Sequence, residues 1–301
     1  MTVMQKTSTK LSLPILCKAL RVHQWVKNSL LFLPVLAAYQ FNNSHLLIQE
    51  ILGFIAFSFC ASSAYILNDI LDLSADREHA TKKFRPFSAG DLSIGFGLMM
   101  IPLLWFISFS IAWCISLPFT AILMLYFLST ILYSLYFKKI MLLDVIILTM
   151  MYIIRIMAGG ILGQIPISDW LLAFSFFFFL SLAFVKRVSE LHQNQKQGLL
   201  KTPGRAYLSS DLEQLTHFGA SSGYIAILVF ALYLNSQTVL QLYHYPRLLW
   251  LGCPLLLYWI SRTWLLTHRH QVHDDPVVFA LKDQATYVVA LLFCVLFFLA
   301  K

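Results

Sequence analysis

The chain has 301 residues, of which 59% are hydrophobic and 12% charged, and its 22 Lys and Arg outweigh 14 Asp and Glu for a formal net charge of +8. A soluble globular domain carries about twice that charged fraction, and a mean hydropathy of +0.73 excludes one. The apolar runs lack the period-2 alternation of a lipid-facing strand, so the expected class is all-α, a polytopic membrane helical bundle.

Met1 to Lys10 is polar, and no small-residue cleavage site follows it, so no cleavable signal peptide is expected. Arg21, His23, Gln24, Trp25, Lys27 and Asn28 then mix bases with an interfacial aromatic, the pattern of an amphipathic anchor at the headgroups. Apolar runs long enough for a crossing of roughly 20 residues lie near 28–48, 48–67, 94–116, 118–137, 141–162, 168–186, 217–236, 246–265 and 284–300. Between them fall Asn42-Asn43-Ser44, Pro118, Lys138-Lys139, Pro166 to Asp169, Asn235-Ser236 and Pro246, all helix-ending signals. Nine transmembrane helices are therefore expected, in a single transmembrane domain over residues 1–301. Reading the loops alternately places 19 of the 22 bases on one side, which the positive-inside rule makes the cytoplasm. The N-terminus is expected inside, the C-terminus outside, and the chain in a bacterial-type cytoplasmic (inner) membrane.

Two cytoplasmic loops, near 68–93 and 186–216, are longer and more charged than connection requires, as paired active-site loops would be. In the first, Asp69, Asp72 and Asp76 stand at i, i+3 and i+7, which puts three carboxylates on one face of a helix end. Like charges so placed repel, and a divalent cation in the gap would relieve them; oxygen ligands of this kind suit Mg²⁺ shared with substrate phosphates. Asn68 and His79 extend the polar face, and Lys82, Lys83 and Arg85 supply donors for phosphate oxygens. The competing reading is a solvated loop that balances its own charges. Arg155 falls near the middle of the fifth expected helix, where an ionised group needs a partner. It shares a face with Tyr152 and with Asp144, the latter about 16 Å nearer the cytoplasmic end. A polar cavity would let Arg155 meet a phosphate; an acid on another helix is the alternative. Gly159, Gly160 and Gly163 suggest close helix packing there. His268, His270 and His273 are too loosely spaced for a strong metal reading, and five scattered cysteines form no CxxC pair.

The stretch NDILDLSADREH followed by KKFRPFSAG resembles the first aspartate-rich motif of the UbiA-type intramembrane prenyltransferase superfamily. That resemblance implies a nine-helix membrane enzyme that uses Mg²⁺ and a pyrophosphate-leaving substrate. Prenyl-transferring members carry a second aspartate-rich motif after helix 6, where this chain reads FVKRVSELHQNQ. Lys186, Arg187 and Glu190 there resemble the KRxxEL signature of the decaprenyl-phosphate phosphoribosyltransferase branch. HQWVKN at 23–28, LLDVIILTMMYIIRIMAGG at 142–160 and DDPVVFALKD at 274–283 resemble the same branch, with Val22 and Ala80 standing where proline is frequent. What the resemblance implies is transfer of a 5-phosphoribosyl group from phosphoribosyl pyrophosphate to a polyprenyl phosphate, with release of pyrophosphate. Asp69, Asp72 and Asp76 would hold Mg²⁺ and, with Lys186 and Arg187, form the catalytic set. Gln24, Lys27, Asn28, Asn68, His79, Lys82, Lys83, Arg85, Tyr152, Arg155 and Glu190 would bind substrate.

Charge supports the branch: a donor with two phosphate groups facing a phosphate acceptor favours bases over a second acidic cluster. Glu190 could order Lys186 by an i,i+4 pair or touch a metal, and the two bases could instead be simple inside-face anchors. The alternatives are a prenyltransferase joining a polyprenyl pyrophosphate to an aromatic acceptor and, outside enzymes, a transporter or lipid carrier with Arg155 as counter-ion. The expected partners are the two substrates and the membrane, with no nucleic acid, and a homo-oligomer is left open.

Overall fold

A computed structural model describes residues 12–40, 42–78, 82–196, 198, 204–272 and 275–301, and every regular element among them is a helix. Contacts divide the chain into two compact units, one built from the described residues up to Ser134 with Ile154–Pro166, the other from Leu135–Ile153 with Ile167–Lys301.

The first unit begins with α1 (Leu13–Ala19), a 3-10 segment (Val22–Phe32) and the short α2 (Leu33–Ala37). The expected first crossing at 28–48 is therefore not one helix: Pro34 opens α2, and Tyr39 turns the chain at φ 55°. Asn43 then caps α3 (Ser44–Leu71), its side chain accepting from the Leu46 N–H at 3.3 Å. At ~1.5 Å per residue this helix is long enough to cross a bilayer and project beyond it. After it come α4 (Leu73–Glu78), α5 (Pro86–Ala89), α6 (Ile94–Ile115) and α7 (Leu117–Leu135). Ser108 of α6 donates to the Ala56 carbonyl of α3 at 2.7 Å, and Phe57 packs on Phe119 and Tyr126 with ring centroids 5.9 and 5.1 Å away. The C-terminal half of α8 (Leu143–Gly163) completes this unit. At Gly159 its backbone lies so close to the 3-10 segment that a Cβ there would stand 1.9 Å from the Leu31 carbonyl oxygen. The glycine run thus permits the close packing that its spacing suggests.

The second unit holds the N-terminal half of α8, then α9 (Asp169–Lys196), α10 (Leu212–Leu234), α11 (Gln237–Leu242), α12 (Gly252–His268), α13 (Pro276–Lys282) and α14 (Gln284–Ala300). Ser181 of α9 donates to the Gly219 carbonyl of α10 at 2.7 Å and accepts from Trp264 Nε1 of α12 at 3.0 Å, which ties three helices at one point. Asp283 caps α14 by accepting from the Thr286 N–H at 3.0 Å and forms a two-pronged pair with Arg262 at 2.8 and 2.9 Å. α9 continues past residue 186 to Lys196, so the KRVSEL stretch is helical rather than loop.

Among the described residues seven helices are long and apolar enough to cross a membrane, and α13 with α14, bent by 83°, makes an eighth if counted as one span. The sequence leads to nine, and the first run is where it and the structure diverge. Gly159→Ala should lower the thermal midpoint of the purified protein by the equivalent of about 1–3 kcal/mol, since the clash is with backbone. Gly95→Ala, with nothing within 4 Å of its Cβ position, should leave it unchanged; equal midpoints for the two variants in a detergent melt would refute the close approach.

Candidate active site

In the first unit, α3 ends at Leu71, but Asp72 N–H still donates to Asn68 O at 2.9 Å and Asp76 N–H to Asp72 O at 2.8 Å. The helical register survives the break, so Asp69 and Asp76, seven residues apart, face the same way. Pro86 restricts its predecessor, and Arg85 is accordingly extended at φ −68°, ψ 144°. Gly90 at φ 82° ends α5 and turns the chain away. This bracket brings Arg85 Nη1 to 3.0 Å from Asp69 Oδ1 and 2.5 Å from Asp76 Oδ2. Arg21 Nη2 pairs with the same Asp69 oxygen, its guanidinium 4.9 Å above the Tyr65 ring. Arg21 sits at φ 50°, a left-handed conformation that a side chain adopts only when its surroundings enforce it. Asp69 lies at the C-terminal end of α3, where the helix dipole already disfavours negative charge, and it is buried. Two arginines answer one carboxylate.

Further along α3 a polar stripe meets the 3-10 segment. Trp25 Nε1 donates to Ser62 at 3.0 Å, Asn28 Nδ2 to Ser58 at 3.1 Å, Arg155 Nε to Asn28 Oδ1 at 2.8 Å and Arg155 Nη2 to the Tyr126 hydroxyl at 2.8 Å. Arg155 is thus held by an amide and a phenol. Lys27 is buried, Gln24, Asn68 and Asp72 are half-buried, and Lys82 and Lys83 are exposed. Lys83 Nζ lies 5.2 Å from the Phe84 ring centroid. His79 lies outside the described residues, as does His273.

Asp69 and Asp76 both reach one arginine nitrogen, so their hard oxygen donors converge where positive charge is required. Among the described residues no group of three or more acids, histidines or cysteines is gathered as a metal cage. The donor set therefore fits Mg²⁺ of the kind that takes one or two carboxylates and completes its shell with substrate phosphate and water; it does not form an all-protein site of the three stacked acids.

In the second unit the charged end of α9 is tied to the start of α8. Arg187, 1% exposed, has Nε 2.8 Å from Asp144 Oδ2, close but not aligned as a hydrogen bond, and it also pairs with Glu190. Arg205 Nε stands 3.0 Å from Glu190 Oε2, and its Nη1 stands 3.7 Å from Asp144 Oδ2. The Tyr207 hydroxyl donates to Asp144 and accepts from the Leu142 N–H at 3.0 Å. Burial and the Asp144 carboxylate push the Tyr207 phenol above its ordinary range, which keeps it a donor. Lys186 pairs with Asp275 at 3.0 Å, and that aspartate also caps α13. Tyr152 stacks on Phe179 at 4.6 Å. Arg187 is enclosed by two carboxylates, and Glu190 pairs with Arg187 and Arg205 while Lys186 adds to the positive field around it. Helical spacing could not choose between these partners, since Arg205 and Tyr207 arrive from a distant loop with no motif around them.

Bilayer-length apolar helices, an aspartate–arginine cluster at the end of one and a buried guanidinium–carboxylate network at the end of another define a membrane-embedded protein with charged clusters at its helix ends. The chain belongs to the UbiA prenyltransferase family, whose profile matches residues 29–290; members of that family are transferases. It is 35% identical over 282 residues to protein y4nM of Sinorhizobium fredii, a match covering 93% of this chain and 55% of that one. Nodulation protein NoeC of Azorhizobium caulinodans is 33% identical over 91% of this chain and 89% of its own length. Decaprenyl-phosphate phosphoribosyltransferase of Mycobacterium tuberculosis is 32% identical over 60% of this chain and 61% of its own. The chain thus spans just over half of y4nM and about three fifths of the mycobacterial relative. A UbiA homologue from Archaeoglobus fulgidus bound to GPP and Mg²⁺ has the same fold, with a TM-score of 0.68 over 95% of this chain and 99% of that one at 17% identity.

Arg85→Ala removes a cation shared by two buried carboxylates and should destabilise the protein by about 3–5 kcal/mol. Adding Asp76→Asn should recover part of that loss, because the neutral amide no longer needs the guanidinium. Additive losses in a denaturant titration of the two single variants and the double variant would show that the pair is not coupled.

Proposed function

We propose that the chain transfers a 5-phosphoribosyl group from phosphoribosyl pyrophosphate to a polyprenyl phosphate, releasing pyrophosphate. The observation that carries this reading is the end of α9, where Lys186, Arg187 and the neighbouring Arg205 stand in place of acids and the carboxylates around them, Asp144, Glu190 and Asp275, are each held by one or more of these bases. Among the described residues there, no pair of acids is left without a basic partner for a second lipid-pyrophosphate metal. The relatives named decaprenyl-phosphate phosphoribosyltransferase support the same choice.

Asp69, Asp72 and Asp76 would supply the carboxylates for Mg²⁺, which would neutralise charge on the departing pyrophosphate. Arg85 holds Asp69 and Asp76, and Arg21 holds Asp69, so the two carboxylates are aimed before substrate arrives. Lys82 and Lys83, exposed on the loop, meet phosphate oxygens, as does Lys186 by exchanging its Asp275 partner. Gln24, Lys27, Asn28, Asn68, Tyr152 and Arg155 are assigned to substrate contact, while Arg187 and Glu190 position rather than touch it. The C1–oxygen bond to pyrophosphate breaks with its electron pair leaving on pyrophosphate, and an oxygen of the ionised lipid phosphate forms the new bond to C1 from the opposite face. No strong general base is needed. The basic loops face the cytoplasm of a bacterial-type inner membrane, with residue 301 on the other side.

A second reading, prenyl transfer from a polyprenyl pyrophosphate to an aromatic acceptor, draws on the prenyl pyrophosphate and Mg²⁺ bound to the archaeal homologue. A radiolabelled donor assay on purified protein separates the two: ribosyl label should enter the lipid and prenyl label should not enter an aromatic acceptor. The opposite pattern would hand the function to the second reading. Asp72→Asn keeps size and should lower turnover by roughly 100-fold or more, as loss of a metal-directed charge does, while the variant purifies folded. Near-normal turnover at limiting Mg²⁺ would remove Asp72 from the metal site.

A further inference from the structure

We propose that Arg205 is the residue of the second-unit network that contacts a phosphate or pyrophosphate group of the substrate, and that Arg187 and Tyr207 are its positioning residues. The inference rests on the phosphoribosyl reading only for the identity of the donor that carries the phosphate.

Asp144, Glu190, Arg187 and Arg205 sum to zero charge, so the network needs no further ion for balance. Its members differ in burial: Arg187 is 1% exposed and Asp144 0%, whereas Arg205 is 17% exposed. Arg187 could meet an anion only by leaving two carboxylates, one of them wholly buried, and stranding such charges is strongly unfavourable. Arg205 is the member of the pair of cations that reaches the surface. If it turns towards an incoming phosphate, Asp144 keeps Arg187 and Tyr207 and Glu190 keeps Arg187, so no buried carboxylate is stranded.

The backbone around Arg205 is set from both sides. Gly204 takes φ 73°, a turn open to glycine. Two residues after Arg205, Tyr207 is 1% exposed and its hydroxyl joins Asp144 to the Leu142 N–H. Leu142 itself stands at φ 64°, so a strained turn, the α8 start and the 204–207 segment close on one hydroxyl. A guanidinium held this way before the ligand arrives loses little further freedom on binding. Its planar fork also suits phosphate better than the point charge of Lys186.

The test uses purified full-length protein, with inorganic pyrophosphate as a binding probe in calorimetry and with donor KM and kcat measured separately. Arg205→Ala should raise the pyrophosphate dissociation constant and the donor KM by roughly 10- to 100-fold, the range of one charge-assisted contact. Its kcat should stay within about threefold, the signature of lost ground-state binding. Arg205→Gln, which retains hydrogen bonding to Glu190, serves if the alanine variant does not fold and should show the same KM loss. Tyr207→Phe should raise donor KM by a smaller factor while kcat stays close to that of the wild type. A folded Arg205→Gln variant with wild-type pyrophosphate affinity and donor KM would overturn the assignment and leave Arg205 a structural member of the network. If the wild-type protein used only a prenyl pyrophosphate donor, the phosphoribosyl reading would fall, while pyrophosphate binding by the Arg205 variants would still decide this one.

Discussion

An ionised side chain in or against hydrocarbon must find an opposite charge or several dipoles, and that requirement organises both units. Asp69 sits at the negative end of a helix dipole and is buried, so it holds Arg21 and Arg85. Asp144 is wholly buried at the start of α8 and gathers Arg187, Arg205 and Tyr207. These pairs are not ornaments on a bundle held by apolar contact. They fix where the 3-10 segment, the α5 turn and the 204–207 segment attach to the long helices, because each supplies a countercharge or donor that the helix cannot provide itself.

The same requirement explains which parts of the molecule the amino-acid order discloses. Apolar runs show directly in composition, and the boundaries of α7, α8 and α9 fall within a few residues of where Pro118, Lys138-Lys139 and Pro166 to Asp169 put them. The i, i+3, i+7 register of the aspartates is equally legible and survives the break at Asp72. The end of α9 is not, because a charged stretch reads as loop by hydropathy, although its charges are satisfied within the fold and leave the helix intact to Lys196. Partner choice is less legible still. Arg187 has Glu190 at i+3 and Lys186 has it at i+4, and only the distant residues Asp144, Asp275 and Arg205 decide which pair forms.

The archaeal homologue carries this fold at 17% identity, so the helical scaffold survives almost complete replacement of its sequence. On that scaffold Pro86 and Gly90 act locally: one restricts the residue before it, the other ends a four-residue helix, and between them they place Arg85 over two carboxylates.

The two halves of α8 belong to different units, and this bears on how the protein is made. Gly159 must close against Leu31, and Arg155 against Asn28 and Tyr126, yet these residues leave the ribosome far apart. At a synthesis rate of 5–20 residues per second the interval between Leu31 and Gly159 is roughly 6–25 s. Through that interval α3, α6 and α7 can insert and pair, while Asn28 and Tyr126 wait in the membrane for a guanidinium that has not yet been translated. The last stage of assembly of the first unit is therefore set by the arrival of α8, and a pause or stop in translation before residue 155 leaves a polar seam open to lipid, the state in which membrane quality control would find it.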